Sequence, residues 1–277
     1  MKFLKNILTV AALVLMAAGL SSCYFRFSDK TKKLLKNELR YTLSDLDVKI
    51  DTVTYNVGQF NAVDIDMNMD DIVIVQTEGE SKVDLMACDF LIDSILVTNE
   101  EGTLKVRLND GTSRPQGRIK VQVYTPALCS ISNNGCGDIS ISAYKGDSLS
   151  IKTSGSGDVI ATNLEIAGKL SVHSVGSGDH EFEHITAANM DIARSGSGDG
   201  CYADLNVATL SVASSGSGDI TLSGETGSAS LNRVGSGDID ATHLNRRSKG
   251  KKIICGEIVA NGMKTSVSGI SRTAVRT

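Results

Sequence analysis

The chain has no tryptophan and only six tyrosines among its 277 residues, so a face that binds sugars by aromatic stacking finds little support. No apolar run reaches the ~20 residues that a bilayer-crossing helix needs. Helix-length apolar patterns are absent after residue 53, and no glycine-rich phrase precedes a helix in the way a phosphate loop would. There is no redox CxxC, no zinc-type cysteine spacing and no Ser-His-Asp arrangement with local context. The clustered, unlike groups required for proton abstraction or sugar hydrolysis are missing, and no cofactor or metal is expected.

What is present begins at the N-terminus. Residues 1–22 have a short basic start (Lys2, Lys5), an apolar run from Ile7 to Ala18 and small residues before Cys23, which together read as a signal peptide. The phrase Leu20-Ser21-Ser22-Cys23 resembles the lipobox of bacterial lipoproteins. That resemblance implies cleavage before Cys23 and lipid attachment to its thiol, and several acyl chains on one residue would anchor the protein stably in a membrane. Ordinary cleavage beside a chance cysteine is the plainer alternative.

Removing residues 1–22 takes away two lysines and no acid, so 26 basic residues face 32 acidic ones, a net charge of −6. This argues against a nucleic-acid partner. Residues 23–52 read as an anchored linker, partly helical. Its basic stretch from Arg26 to Arg40 is either a solvated segment or a contact for anionic headgroups. Once Cys23 is assigned to lipid, Cys88, Cys129, Cys136, Cys201 and Cys255 remain, an odd number that is not a disulfide framework.

From residue 135 to 257 one phrase recurs. Gly135-Cys136-Gly137-Asp138 is followed by GSGD ending at Asp158, Asp179, Asp199, Asp219 and Asp238, with a worn copy at Cys255-Gly256-Glu257. The acids are separated by 20, 21, 20, 20, 19 and 19 residues, a regularity that means a solenoid. Alignment on the acid exposes apolar columns. Nine places before it stand Cys129, Leu149, Leu170, Met190, Leu210 and Ala229; seven before, Ile131, Ile151, Val172, Ile192, Val212 and Leu231. A second strand begins just after the acid, weaker at His180 and Gly200, and a third column lies six places on, broken by Glu225.

Three short apolar faces per ~20 residues describe a coil that closes on itself, with successive coils ~4.8 Å apart. The fold is therefore all-β, a parallel β-helix. Leucine-rich repeats share the period but need a denser leucine consensus and a helical side. Residues 53–277 are assigned to the β-helix. The stretch before residue 125 lacks the GSGD phrase yet alternates like strands (Val63, Ile65; Ile72, Ile74; Leu104, Val106; Ile119, Val121, Val123). It is read as irregular first coils, with a separate small β domain as the alternative.

The glycines before the acids, Gly137, Gly157, Gly178, Gly198, Gly218 and Gly237, and their partners two places earlier, permit sharp corners and close approach of successive coils. Stacked carboxylates at ~4.8 Å repel by about 0.9 kcal/mol per neighbouring pair in water. The acids Asp138, Asp158, Asp179, Asp199, Asp219 and Asp238 either project into solvent or accept hydrogen bonds from corner amides, or else form a row of weak cation sites. Of the four histidines, His180 and His184 stand four apart; on strand geometry they share a face, without an evident third ligand.

The pattern Phe60-Asn61-Ala62-Val63-Asp64-Ile65, the step Gly102-Thr103-Leu104-Lys105-Val106, Thr125-Pro126-Ala127-Leu128 leading into the first corner, and the serial GSGD are similar to the autotransporter-adhesin head domain known as the GIN domain, common in lipoproteins of Bacteroidetes. The resemblance covers about residues 57–265. It implies a right-handed, pectin-lyase-like β-helix without catalytic residues, in an outer-membrane envelope lipoprotein with a structural or adhesive role. Protein or glycan partners would bind rigid faces, and any homo-oligomer would use coil faces or ends. Surface-exported relatives carry acids after the lipid cysteine, whereas Tyr24-Phe25-Arg26-Phe27 follow here, which favours the periplasmic face. A carbohydrate-active enzyme or glycan-binding protein on the same scaffold is the alternative.

Overall fold

In the regular repeats the inward positions come in pairs two places apart, so each coil is three short strands joined at corners. In β10 (Val159–Gly176) these pairs are Val159 and Ala161, Leu164 and Ile166, and Leu170 and Val172, all buried. The structure, a computed structural model, describes residues 50–109 and 118–246. Within that span, β9 (Asp138–Gly155), β10, β11 (His180–Gly196), β12 (Gly200–Gly216), β13 (Ile220–Gly235) and β14 (Ile239–Arg246) pair in parallel, each with the next. Val159 lies beside Ile139 and His180, and Gly200 beside His180 and Ile220, so like positions stack as the repeat spacing predicts. The chain is a parallel β-helix with coils of about twenty residues.

Departures from a twenty-residue spacing are absorbed beside corners, leaving the paired strands in register. The extra residue before Asp179 falls in β10 between Ile166 and Lys169, where pairing with both neighbouring coils shifts. The residue missing before Asp238 is lost between Leu222 and Gly224, opposite Tyr202 and Leu205. A one-residue slip inside a strand would turn its apolar set outward, whereas a slip at a bend leaves both flanking faces in phase.

The columns at seven places before the acid and at three after it are buried throughout the described residues. Each fully buried aliphatic side chain contributes roughly 1.5–3 kcal/mol relative to exposure. A further inward column, Ile166, Ala187 and Val207, lies eight places after the acid. Because of the missing residue, Gly224 stands beside Leu205 in the column that Glu225 was expected to break, Glu225 points outward, and Thr226 fills the interior beside Val207.

Cys129, expected on the buried face nine places before the acid, is exposed, and Leu128 is buried instead. The first repeat has no preceding corner of its own kind. The chain arrives through Pro126, and the Tyr144 hydroxyl both accepts the Leu128 N–H and donates to its carbonyl, each at 2.7 Å, which fixes Leu128 in the interior.

Residues 50–109 and 118–125 join the same sheet but not in chain order. They form β1 (Ile50–Tyr55), β2 (Ala62–Asp66), β3 (Asp71–Gln76), β4 (Lys82–Cys88), the single helical turn α1 (Asp89–Ile92), β5 (Ile95–Glu100), β6 (Thr103–Leu108) and β7 (Ile119–Thr125); β8 (Ser130–Asn133) follows. β2 and β3 lie in parallel against β8 and β9, with Val63 beside Ile131 and Ile72 beside Ile139. On their other side are β6 and β7, with Val63 beside Leu104 and Ile72 beside Val121. β2 and β3 are thus held between two segments that come later in the chain. β5 adds antiparallel to β6, β4 to β7 and β1 to β4. Antiparallel strands in this position cover edges that parallel coils would leave unpaired.

Candidate functional site

The repeated phrase builds one corner per coil: both of its glycines lie too close to the preceding coil's backbone for a Cβ, and the first also needs a backbone angle that side chains resist. The first of each pair, as in Gly155, Gly176, Gly196, Gly216 and Gly235, has φ between 128° and 151°, a conformation that L side chains rarely adopt. The second is required by proximity: a Cβ on Gly178 would lie 2.0 Å from the carbonyl oxygen of Gly157 in the preceding coil. The serines between them, Ser156, Ser177, Ser197, Ser217 and Ser236, form an exposed file headed by the exposed Cys136.

The acids form a ladder. Oδ1 of Asp138 accepts the N–H of Asp158 at 2.8 Å, and Asp158, Asp179, Asp199 and Asp219 accept in turn from Asp179, Asp199, Asp219 and Asp238 at 2.7–2.8 Å. An amide dipole directed at each carboxylate opposes the repulsion along the file, since a hydrogen bond to a charged acceptor contributes roughly 1.5–3 kcal/mol. Arg233 ends the described ladder, its Nη1 standing 3.2 Å from Asp238 Oδ1 and 2.6 Å from the Gly237 carbonyl oxygen.

A second corner, not marked by any glycine phrase, lies five places after the acid. Ala143, Asn163, His184 and Asp204 hold φ between 51° and 57° there; in the shortened copy Gly224, with φ 113°, pairs with Leu205 rather than with Asp204. Asparagine and aspartate tolerate this left-handed region, which was the only sequence signal available. The corner also separates the two histidines expected to share a face. His180 is buried, whereas the His184 side chain is 54% exposed, because the left-handed residue breaks strand alternation between them.

His180 belongs to an interior polar cluster. Its Nδ1 is 3.0 Å from the Tyr202 hydroxyl, and Phe182 and Tyr202 stack with ring centroids 5.2 Å apart. Burial, reinforced by the positive charge of Arg194, lowers the His180 pKa to about 3, so the imidazole is neutral. Burial pushes the Tyr202 phenol well above its ordinary value, although Arg194 pulls it the other way. Arg194 donates to the Gly178 carbonyl at 2.8 Å, and the absence of a side chain at Gly200 makes room for both guanidinium and ring.

The outward surface near the left-handed corners has an open depression of about 320 Å³ lined by Asn163, Glu165, His184, Thr186 and Asp204. Its ionisable groups are exposed and contribute no enclosed, dehydrated pocket. Cys88 is buried, whereas Cys129, Cys136 and Cys201 are exposed, and all four are free thiols. Cys23, Cys255, Gly256 and Glu257 lie outside the described residues, as do the leader, the linker through Lys49 and the chain after Arg246. Among the described residues no helix is long and apolar enough to cross a membrane.

Comparison with known proteins agrees with this architecture. No curated protein matches the chain significantly. A "putative adhesin" of Bacteroides fragilis is 27% identical over 72% of this chain and 94% of its own, with a TM-score of 0.56. A "putative adhesin" of Parabacteroides merdae has the same TM-score at 18% identity, covering 76% of this chain and 94% of its own, and shows the shared fold. The family model described as "Putative auto-transporter adhesin, head GIN domain" matches residues 59–200 and again 171–249, and the chain belongs to that family.

Proposed function

We propose that this protein is a non-enzymatic cell-envelope lipoprotein, anchored through Cys23, whose β-helix serves as a structural or adhesive module for a protein or glycan partner. The observation that carries the reading is the ladder-locked stack: backbones of successive coils are fixed in register, and the outward faces present repeated Ser, Thr and Asp side chains. Such a surface offers a partner many equivalent contacts at little ordering cost, because the binding groups are held before the partner arrives. The interior is filled by packed side chains, and its His180–Tyr202–Arg194 cluster is sealed from substrate, so the buried polar groups serve packing.

Membership of a family described as adhesin heads supports an envelope location, and the lipobox-like phrase supports the anchor. The residues after Cys23 favour the periplasmic face of the outer membrane. The test uses the full chain in an envelope pull-down with a glycan array in parallel, and metabolic palmitate labelling of wild type and C23A. Saturable binding without ligand turnover, and label lost in C23A, are expected. Hydrolysis or lyase activity abolished by a local substitution would overturn the non-enzymatic reading, and equal labelling of both chains would overturn the anchor.

A further inference from the structure

The left-handed corners of β11 and β12 bring together three side chains that the sequence does not mark as a set. His184 Nδ1 lies 3.1 Å from Asp204 Oδ2, and its Nε2 lies 3.6 Å from Glu183 Oε1. One donor atom from each of Glu183, His184 and Asp204 lies within 4.8 Å of the other two. Glu183 and His184 are adjacent in one coil, while Asp204 belongs to the next. Its position is set by the flanking register, in which Phe182 pairs with Tyr202 and Ile185 with Leu205.

We propose that Glu183, His184 and Asp204 form a binding site for a divalent transition-metal cation of the zinc class. Bonds of about 2.0–2.2 Å from one zinc ion to an imidazole nitrogen and a carboxylate oxygen place those donors about 3.0–3.4 Å apart at coordination angles of 90–110°. The His184–Asp204 separation already meets that requirement. Glu183 stands beside the other ring nitrogen, Nε2, so to join an ion held by Nδ1 and Asp204 its carboxylate must swing round to the Nδ1 side, a movement its half-exposed side chain permits. The donor set selects the class of ion: imidazole suits zinc, copper and nickel, whereas calcium and magnesium take oxygen ligands.

Backbone placement makes the pair a better starting point than two surface side chains meeting by chance. His184 and Asp204 both occupy the outward bend, one coil apart, with φ of 57° and 51°, so their Cα–Cβ bonds leave equivalent points of stacked corners. They also border the depression that Asn163, Glu165 and Thr186 complete. Three protein donors leave further coordination positions open on the solvent side, available to water or to a donor from a bound partner. The metal site stands independently of the adhesive reading, because its donors are defined by this chain alone.

The test is a calorimetric Zn²⁺ titration of the full chain with its thiols carboxamidomethylated, since Cys129, Cys136 and Cys201 are exposed and would bind zinc themselves. Wild type is compared with H184N, D204N and E183Q. Asparagine suits both corners, because Asn163 holds the same bend at φ 55° in the preceding coil; the variants therefore keep the fold, which circular dichroism checks. One saturable equivalent is expected in wild type. Its affinity should fall by about tenfold or more in H184N and D204N, since losing even an outer-shell partner of a metal typically costs 10–100-fold. Zn²⁺ should also raise the melting temperature of wild type and leave that of H184N unchanged. Absence of saturable binding, or equal binding in wild type, H184N and D204N, overturns the proposal.

Discussion

Substitution of Asp179 separates the two contributions of the ladder. Its Oδ1 accepts the Asp199 N–H at 2.7 Å, and its own N–H donates to Asp158 Oδ1 at 2.8 Å. Asp179 also has a like charge about one strand spacing, ~4.8 Å, away on each side. Each of those neighbours repels it by about 0.9 kcal/mol in water, so neutralising Asp179 removes roughly 1–2 kcal/mol of repulsion at low salt. D179N keeps a carbonyl acceptor, worth about 0.5–1.5 kcal/mol, and loses the charge; it should match or exceed wild type in stability. D179A relieves the same repulsion but loses the acceptor, and should lie about 1 kcal/mol below D179N. For a chain of this size that corresponds to about 2–4 °C in melting temperature. Thermal denaturation followed by circular dichroism, at about 10 mM and 1 M salt, spans screening lengths of roughly 30 to 3 Å. Wild type should gain more stability from salt than D179N does. If D179A and D179N melt together, or if salt affects wild type and D179N equally, the ladder account is wrong.

G176A should destabilise by more than about 3 kcal/mol, because φ is 141° and the new Cβ would lie 1.8 Å from the Gly155 carbonyl oxygen, whereas S177A at the exposed neighbouring position should stay within about 0.5 kcal/mol; urea denaturation measures both. His180 is neutral when folded, with a pKa of about 3 against about 6.5 unfolded, so the unfolded chain takes up its proton first as pH falls. Its contribution to stability is full above about pH 6.5 and should decline below that by up to about 1.4 kcal/mol per pH unit toward pH 3, a slope that H180I should lack in acid titrations of the melting temperature. L170A empties a fully buried interior position and should cost about 2–5 kcal/mol by denaturant titration. Maleimide labelling of the native chain should lose one fast-reacting thiol in C129A and none in C88A; equal labelling of both variants would contradict the outward placement of Cys129.

Much of the architecture was already legible in the chain. The spacing of Asp138, Asp158, Asp179, Asp199, Asp219 and Asp238 set the period, and Ile151, Val172, Ile192 and Val212 marked one interior column. Paired glycines announced the close approach of coils. These features are readable because a solenoid repeats the same environment, so each position is sampled several times in one sequence. The left-handed bend at Ala143, Asn163, His184 and Asp204 was not readable, because four different residue types occupy it and its only common property is a backbone angle.

The sequence by itself determined the repeat, the parallel stacking, the glycine corners and the identity of most interior columns, since period and alternation depend on local geometry. Only the tertiary structure decided that β2 and β3 lie between β6–β7 and β8–β9, that Leu128 displaces Cys129 from the interior, and that His184 faces Asp204 while His180 is buried beside Tyr202. The physical reason is that these outcomes depend on which strands meet across dozens of residues and on where the chain bends. Pairing between distant segments is chosen by the free energy of the whole stack, which no local pattern encodes.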